Sequence, residues 1–189
     1  MPRSYIRQLH ALQPQQAEPG SRAILEEAQK KLGFVPQMYA TMANVPAVLD
    51  TYMHGYKLLR TASGFSAAEQ EVIFLAISQG NDCRYCTAAH SMVADKLSGV
   101  PAAVLQAIRN GDVLPDARLA ALYAFTREML LSRGRPAAAQ VAAFRQAGFA
   151  DQHILNIILA IAVKTISNYS NHAFMPDLDA AFAPYAVSE

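Results

Sequence analysis

Residues 66–90 read SAAEQEVIFLAISQGNDCRYCTAAH, and this stretch decides the fold. Ser66 and Glu69 form a capping box, in which the two side chains satisfy free backbone N–H groups at the start of a helix. The helix that they open is predicted to end at Gly80. The next helix, capped by Asn81 or Asp82, carries two cysteines and a histidine. The stretch therefore predicts two adjoining antiparallel helices.

Helical periodicity continues along the rest of the chain, without the alternation that is typical of a strand. Further helices are predicted over residues 21–32, 46–61, 101–110, 116–132, 136–147 and 151–167. Ser21 is expected to cap the first of them. Residues 1–20 are polar and contain Pro14 and Pro19, so we expect an N-terminal arm there. No Ser/Gly-rich linker divides residues 21–189, which are predicted to form one all-α domain.

A weak internal repeat appears when the chain is shifted by 84 residues. The shift lays Gly64-Phe65 on Gly148-Phe149 and Cys83-Arg-Tyr-Cys86 on Ser167-Asn-Tyr-Ser170. It suggests a duplicated helical hairpin, of which only the first copy carries thiols. Because helices share simple Ala/Leu patterns, coincidence is the competing interpretation.

The composition limits the class of protein. Apolar residues make up 52% of the 189 residues and charged residues only 16%, against about 25% charged residues in typical domains. A surface so poor in charge suggests coverage by further copies, so we expect a homo-oligomer. The net charge of +1 favours neither nucleic acid nor an acidic membrane as a partner.

The apolar segments do not indicate export or membrane insertion. The N-terminal residues have no apolar core of the length that a signal peptide needs. The longest apolar run, Ile154–Val163, is interrupted by Asn156 and followed by Lys164, and it is too short to span a bilayer. We therefore expect a cytoplasmic protein, in which an isolated pair of cysteines is more often catalytic or metal-binding than structural.

Both cysteines of the chain, Cys83 and Cys86, lie in the quoted stretch, with His90 four residues after the second. On a helix these three side chains share one face, and the two cysteine Cα atoms lie roughly 5–6 Å apart, within disulfide range. The helix dipole favours Cys83 as the attacking thiolate, because it is nearer the N-terminus. The base argument favours Cys86, because His90 is its i+4 neighbour. Glu71, on the preceding helix, is placed to orient His90.

Paired thiols beside a base predict a thiol peroxidase. One thiolate attacks the O–O bond of a hydroperoxide to give a sulfenic acid, and the second thiol condenses with it to give a disulfide and water. An external dithiol then reduces the disulfide by exchange. A zinc site built from the same residues is the competing interpretation, but no second pair of ligands accompanies it in the sequence. We predict neither a metal nor a cofactor.

The spacing of these residues resembles the alkylhydroperoxidase AhpD-like family of the carboxymuconolactone decarboxylase superfamily. Eleven residues separate Glu71 from the Cys83-x-x-Cys86 motif, and three more separate Cys86 from His90. Residues 32–36 (LGFVP) and 168–172 (NYSNH) resemble its peroxidase-related branch. The resemblance implies an all-helical fold that assembles as trimers or hexamers. It also implies that Cys86 attacks the peroxide, Cys83 resolves, and Glu71 and His90 relay protons. Tyr85 stands where some AhpD enzymes have a further histidine.

Two alternatives accompany this prediction. One is a carboxymuconolactone-decarboxylase-like enzyme, whose chemistry does not require paired thiols. The other is a non-enzymatic redox sensor or partner-binding module that uses Cys83 and Cys86 as a switch. For the peroxidase, the expected partners are a hydroperoxide and a lipoyl- or thioredoxin-like dithiol reductant. Away from the cysteines, Tyr52 and Tyr56 are expected in the core, and Tyr169 and His172 in capping or packing roles.

Overall fold

Helices supply the regular structure between residues 4 and 187, the part of the chain that the computed structural model describes. Within that part there is no strand, so the predicted all-α fold is confirmed. The α-helices are α1 (Pro19–Leu32), α2 (Gln37–Met42), α3 (Pro46–Ala62), α4 (Ala67–Gly80), α5 (Arg84–Lys96), α6 (Ala102–Asn110), α7 (Ala117–Leu131), α8 (Ala138–Gln146) and α9 (Asp151–Phe174). Short 3-10 helices cover Pro14–Gln16 and Ala183–Tyr185.

Helix α4 lies at the centre, packed against α3, α5, α7 and α9. Every side chain from 69 to 78 is buried, as expected for a helix that is apolar nearly all round. The predicted capping box is present: Ser66 Oγ accepts from the Glu69 N–H at 3.2 Å, and Glu69 Oε2 accepts from the Ser66 N–H at 2.8 Å. The box fixes where α4 begins, and therefore the depth at which Glu71 enters the core.

The turn between α4 and α5 differs from the prediction. Cys83 is the N-cap residue of α5, so the prediction that Asn81 or Asp82 caps this helix is wrong. Asp82 adopts a left-handed backbone conformation with φ of 53°, which aspartate tolerates better than most residues. The N-cap of α5 therefore lies one or two residues later than predicted. This conformation leaves the Asp82 side chain exposed while both sulfurs are buried.

Two other helix boundaries also differ. Helix α1 begins at Pro19, a favourable first position because proline lacks the N–H that would go unpaired there. Ser21 therefore lies inside the first turn and is buried, and the prediction that it caps α1 is wrong. Helix α9 continues past the predicted end at Ser167 to Phe174. It stops where Met175, in the left-handed region, precedes a proline, which disfavours helical geometry in the residue before it.

The internal repeat is visible in part. The α3–α4 and α8–α9 turns each contain a glycine at positive φ, Gly64 and Gly148, followed by a buried phenylalanine. The rings of Phe65 and Phe149 lie 6.0 Å apart, so the two turns meet in one core cluster. The similarity ends at Gly80, where α4 stops, because the matching Lys164 lies inside the continuous helix α9.

The residues before α1 make several contacts with the rest of the fold, including hydrogen bonds to α2 and α9. Ser4 Oγ donates to the carbonyl of Ala173 at 2.9 Å, and the Leu12 N–H donates to the carbonyl of Ala40 at 3.0 Å. The boundary at residue 20 stays a prediction. In the described residues no single helix is long and apolar enough to cross a membrane; only α8 and α9 taken together, bent by 113°, satisfy that length and composition.

Candidate active site

The four residues singled out from the sequence come together beside the central helix. Glu71 is on α4, Cys86 and His90 are on α5, and Cys83 is at its N-cap. All four are buried, with exposed fractions of 0% for Glu71, 2% for Cys83, 1% for Cys86 and 6% for His90. Their side chains therefore act on one another in a space that excludes bulk water.

Glu71 is held from two sides. One carboxylate oxygen accepts from the guanidinium of Arg60 on α3, and the other lies 2.8 Å from His90 Nδ1. Burial alone would raise the pKa of Glu71, but His90 and Arg60 together keep it below its ordinary value. Glu71 is therefore a carboxylate, and it orients the imidazole as the third group of a triad does.

The other nitrogen of His90 faces Lys164. The Nζ atom of Lys164, on α9, lies 2.9 Å from His90 Nε2, and Lys164 is completely buried. Burial and the nearby charge of Lys164 lower the pKa of His90, which favours the neutral imidazole. A neutral ring satisfies both neighbours in one arrangement, with Nδ1–H donating to Glu71 and Nε2 accepting from the ammonium.

The two sulfurs share one amide donor. Asn171 Nδ2 lies 3.3 Å from Cys86 Sγ and 3.7 Å from Cys83 Sγ. Cys86 Sγ also lies 3.9 Å from the sulfur of Met38 and 4.0 Å from Ser167 Oγ. Asn171 and Ser167 are both on α9, so this helix supplies two of the polar groups beside Cys86.

The pKa values of the two thiols are shifted in opposite directions. Burial would raise the pKa of Cys86, but the hydrogen bond from Cys83 and the charge of Lys164 hold it well below its ordinary value. The same hydrogen bond, and then burial, raise the pKa of Cys83 well above its ordinary value. This arrangement favours a Cys86 thiolate that accepts from a protonated Cys83, and it runs against the helix-dipole argument for Cys83.

Aromatic side chains form one wall of the site. Phe74 stacks on the His90 ring with the centroids 4.7 Å apart. Tyr56 stacks on the far side of Phe74, at 5.5 Å, and Tyr52 stacks on Tyr56, at 5.7 Å. Tyr52 is in the core as predicted, and the half-buried Tyr56 packs against both core clusters and accepts a hydrogen bond from Arg60.

Helix α2 packs beside the site through Met38, and Asp179 and Tyr85 bind the backbone N–H groups of its first two residues. The Tyr85 hydroxyl donates to Asp179, and the Asp179 oxygens each lie 3.3 Å from the backbone N–H of Gln37 at the start of α2. The Tyr85 hydroxyl also accepts from the Met38 N–H at 3.4 Å. Tyr85, which separates the two cysteines in sequence, thus ties α5 to the helix that carries Met38.

Among residues 4–187 no group of three or more His, Cys, Asp or Glu side chains is arranged to hold a metal ion. The competing zinc interpretation required Cys83, Cys86, His90 and Glu71 to converge on one point. Instead, the ring nitrogens of His90 face Glu71 and Lys164, and Asn171 approaches the sulfurs.

Comparisons with known proteins bear on the family and the fold. A family model for the Carboxymuconolactone decarboxylase family matches residues 46–128, which run from α3 through most of α7. An uncharacterized peroxidase-related protein from Silicibacter sp. TM1040 has 26% sequence identity and a TM-score of 0.77, with 95% of this chain and 96% of that chain covered. Residues 46–128 are therefore similar to the Carboxymuconolactone decarboxylase family, and the chain shares the all-α fold of AhpD-like, peroxidase-related proteins.

Two further solved structures share the fold of this AhpD-like protein. One is an alkylhydroperoxidase AhpD core, an uncharacterized peroxidase-related protein from Ralstonia eutropha JMP134, with 23% identity, a TM-score of 0.80 and 91% and 92% of the two chains covered. The other is the debrominase Bmp8, a variant of which was solved with 2,3,4-tribromopyrrole, with 18% identity, a TM-score of 0.79 and 96% and 97% covered. A search of the curated proteins finds no match.

Three residues of this site were not predicted from the sequence. Lys164 carried a signal, because a lysine at the end of the apolar run Ile154–Val163 enters a core and needs a partner there. Asn171 lies in the segment 168–172 that resembles the family, where Tyr169 and His172 were considered instead; Tyr169 is 56% exposed. Arg60 gave no signal, since an arginine in the last turn of a helix is ordinary.

Proposed function

We propose that this protein is a thiol-dependent peroxidase that reduces hydroperoxides through a Cys83–Cys86 dithiol/disulfide cycle. The observation that carries the proposal is the pairing of unlike thiols. Cys86 receives hydrogen bonds from Asn171 and Cys83 and lies near a buried ammonium, and such surroundings favour the thiolate that a nucleophile requires. Cys83 stays protonated beside it, as a resolving thiol does.

The cycle balances as follows. The Cys86 thiolate attacks the distal oxygen of ROOH, the O–O bond breaks, and the leaving alkoxide takes a proton to give ROH. Cys83 then loses its proton and attacks the Cys86 sulfenic acid, which releases water and forms the disulfide. A lipoyl- or thioredoxin-like dithiol restores both thiols by exchange and is itself oxidised.

The test is turnover of hydrogen peroxide and of an alkyl hydroperoxide, with dihydrolipoamide as the electron donor. Wild type should consume many equivalents of peroxide, and Cys86→Ser should consume none. Cys83→Ser should accumulate a sulfenic acid on Cys86, detected by a dimedone adduct in mass spectrometry. Full turnover by Cys86→Ser overturns the proposal.

The same measurements distinguish the alternatives. A redox sensor would be oxidised once per dithiol and would not turn over with dihydrolipoamide or with thioredoxin. A carboxymuconolactone-decarboxylase-like enzyme would decarboxylate its lactone after both thiols had been alkylated.

A second candidate function is reductive dehalogenation of an aromatic compound. The wall of Phe74, Tyr56 and Tyr52 next to the thiols favours it, and the dithiol supplies the two electrons that replace a carbon–halogen bond by carbon–hydrogen. The debrominase Bmp8 shares the fold only. Release of bromide from a bromopyrrole, with formation of the Cys83–Cys86 disulfide, would favour this function over peroxide reduction.

We also propose that the protein is a homo-oligomer, a trimer or hexamer by the family resemblance. Large apolar side chains lie exposed along α9, with exposed fractions of 69% for Leu155, 46% for Ile158 and 56% for Tyr169. Their spacing places them on one outer stripe of the helix. Light scattering after size-exclusion chromatography tests this: a monomer in wild type, or an unchanged oligomer in Leu155→Glu, would count against contact through the stripe.

A further inference from the structure

Lys164 is the most unusual group in the core. It is a lysine with no exposed surface, and its Nζ atom contacts His90 Nε2 at 2.9 Å and lies 5.6 Å from the centre of the Phe74 ring. A buried ammonium is costly unless a partner compensates its charge. Glu71 lies on the other side of the imidazole, bound to Nδ1 and to Arg60. The charge of Lys164 also acts on the Cys86 sulfur and lowers the pKa of that thiol.

The hydrogen bonds of His90 restrict what it can do for Cys86. A neutral imidazole has one donor and one acceptor nitrogen, and an ammonium only donates. With Nδ1–H pointing at Glu71, the lone pair on Nε2 is used by Lys164. The imidazole therefore has no free lone pair with which to take the Cys86 proton. Lys164 contacts His90 directly, and its charge acts on both His90 and Cys86.

We propose that Lys164, rather than His90, exchanges the proton with Cys86: its ammonium pairs with the Cys86 thiolate and then protonates the oxygen that leaves the peroxide. This inference rests on the proposed peroxidase function for its second half, while the thiolate–ammonium pair stands without it. Lys164 is then a catalytic residue, and His90 and Glu71 are positioning residues that aim its Nζ at the sulfur.

The proton inventory closes over the cycle. In the first step the thiolate sulfur bonds to the distal oxygen, the O–O bond breaks, and Lys164 gives its proton to the alkoxide. The neutral amine then removes the proton of Cys83, whose thiolate displaces hydroxide from the Cys86 sulfenic acid. The hydroxide takes that proton back from Lys164 and leaves as water. When the external dithiol reduces the disulfide, its two protons go to Cys83 and to Lys164, which restores the Cys86 thiolate beside a protonated lysine. One amine thus serves as acid, base and acid again.

Several charged or titratable groups surround Cys86 and bear on its titration. They are Tyr39 on α2, Tyr52, Tyr56 and Arg60 on α3, Glu71 on α4, Cys83, Tyr85 and His90 at and within α5, and Lys164 on α9. Among the cations, Arg60 is engaged by Glu71 and Tyr56. The cation left to face the sulfur is Lys164.

The test is a pH titration of the Cys86 thiolate, followed by its ultraviolet absorbance and by its alkylation rate. It compares Lys164→Met with His90→Asn, and both variants also carry Cys83→Ser. Methionine matches the length of lysine without charge, and the asparagine introduced by His90→Asn can still accept from Lys164. In Lys164→Met the thiol should return towards the ordinary range near 8.5, so that its alkylation rate at about pH 6.5 falls roughly 100-fold. In His90→Asn the thiolate should persist. Lys57→Met, at an exposed position on α3, is the matched control and should leave the titration unchanged.

A second measurement tests proton donation. Single-turnover oxidation by hydrogen peroxide is followed at a pH at which the Lys164→Met thiol is fully ionised. A lost proton donor keeps the variant roughly 100-fold or more slower than wild type even there, whereas recovery of the full rate overturns the donor role. Lys164→Arg should keep the thiolate through its charge but lose the donor step, because arginine does not give up its proton.

The outcomes separate the two proposals. A thiolate that persists in Lys164→Met, or one that is lost in a folded His90→Asn, overturns the inference about Lys164. If Lys164→Met does not fold, judged by circular dichroism, the His90→Asn and Lys164→Arg arms decide. A titration that behaves as expected in a protein without peroxide turnover overturns the proposed function and leaves the thiolate–ammonium pair standing.

Discussion

Replacing Glu71 by glutamine should destabilise the protein far more than the same replacement two residues earlier. Glu71 has no exposed surface and accepts from both Arg60 and His90. Glutamine has one acceptor oxygen and one donor NH₂ group. Its oxygen can accept from either Arg60 or His90, and its NH₂ group then faces the other donor. A buried donor left unpaired costs about 1–3 kcal/mol. Breaking a buried ion pair costs about 3–5 kcal/mol, less here because 21% of the Arg60 side chain is exposed.

We therefore expect Glu71→Gln to lower the free energy of unfolding by about 2–4 kcal/mol. The control is Glu69→Gln on the same helix, which loses an ion pair with Arg118, whose side chain is 46% exposed. Such a pair contributes about 0–1 kcal/mol, and glutamine can replace glutamate in the capping box. Urea unfolding followed by circular dichroism gives both values. Equal losses in the two variants would refute the argument from burial.

The lowered pKa of Glu71 also predicts how the stability difference between wild type and Glu71→Gln changes with pH. The pKa of Glu71 is lowered in the folded state, so its stabilising effect is complete above its unfolded value near 4.5 and is lost as the pH falls through the lower, folded value. The stability gap between wild type and Glu71→Gln should therefore be constant from neutral pH down to about 5 and should close below that. A gap that widens in acid would contradict the assignment of a carboxylate.

Three further predictions concern the surroundings of the thiols and the helix packing. Asn171→Leu should raise the pKa of the Cys86 thiol by about one to two units, because a hydrogen bond to a charged group contributes about 1.5–3 kcal/mol; the pH profile of alkylation measures it, and an unchanged profile would exclude the amide as a thiolate donor. Gly55→Ala should destabilise by about 1–3 kcal/mol, because its Cβ would lie 2.7 Å from a valine methyl of α9, whereas Gly20→Ala, in open space on α1, should be neutral or stabilising in the same urea titration. Tyr85→Phe should speed modification of Cys86 by a bulky maleimide, since the tie between α5 and α2 is cut; an unchanged rate in a folded variant would show that α2 does not control access.

The local parts of the fold were predictable because their signals are local. The capping box at Ser66 and the glycine at Gly80 define both ends of α4, and the structure has them where the sequence predicts them. Helix α2 was missed because a six-residue helix is marginal on its own. It depends on packing, and on the Asp179 carboxylate, which is 142 residues from Gln37 in sequence.

The site was predictable only as far as its residues lie within one hairpin. Lys164 and Asn171 are 74 residues from His90 and 85 residues from Cys86, respectively, so tertiary packing alone brings them to the thiols. The helix-dipole argument favoured Cys83 because it takes no account of groups that tertiary packing brings to the thiols. The helix terminus favours thiolate at either position, and a cation and an amide from α9 shift the balance to Cys86.

The spacing on α9 has a consequence for reading other sequences. Ser167 and Asn168 lie three and four residues after Lys164, and Asn171 lies four and three residues after them, so one face of one helix presents all four to the interior. Deleting a single residue from the first half of α9 would rotate that face by about 100° and remove all four at once. A residue added between α8 and α9 would leave them in phase. The pattern Lys-x-x-Ser-Asn-x-x-Asn is therefore a second signature, independent of the cysteines, with which a chain of this fold can be searched for the proposed role of Lys164.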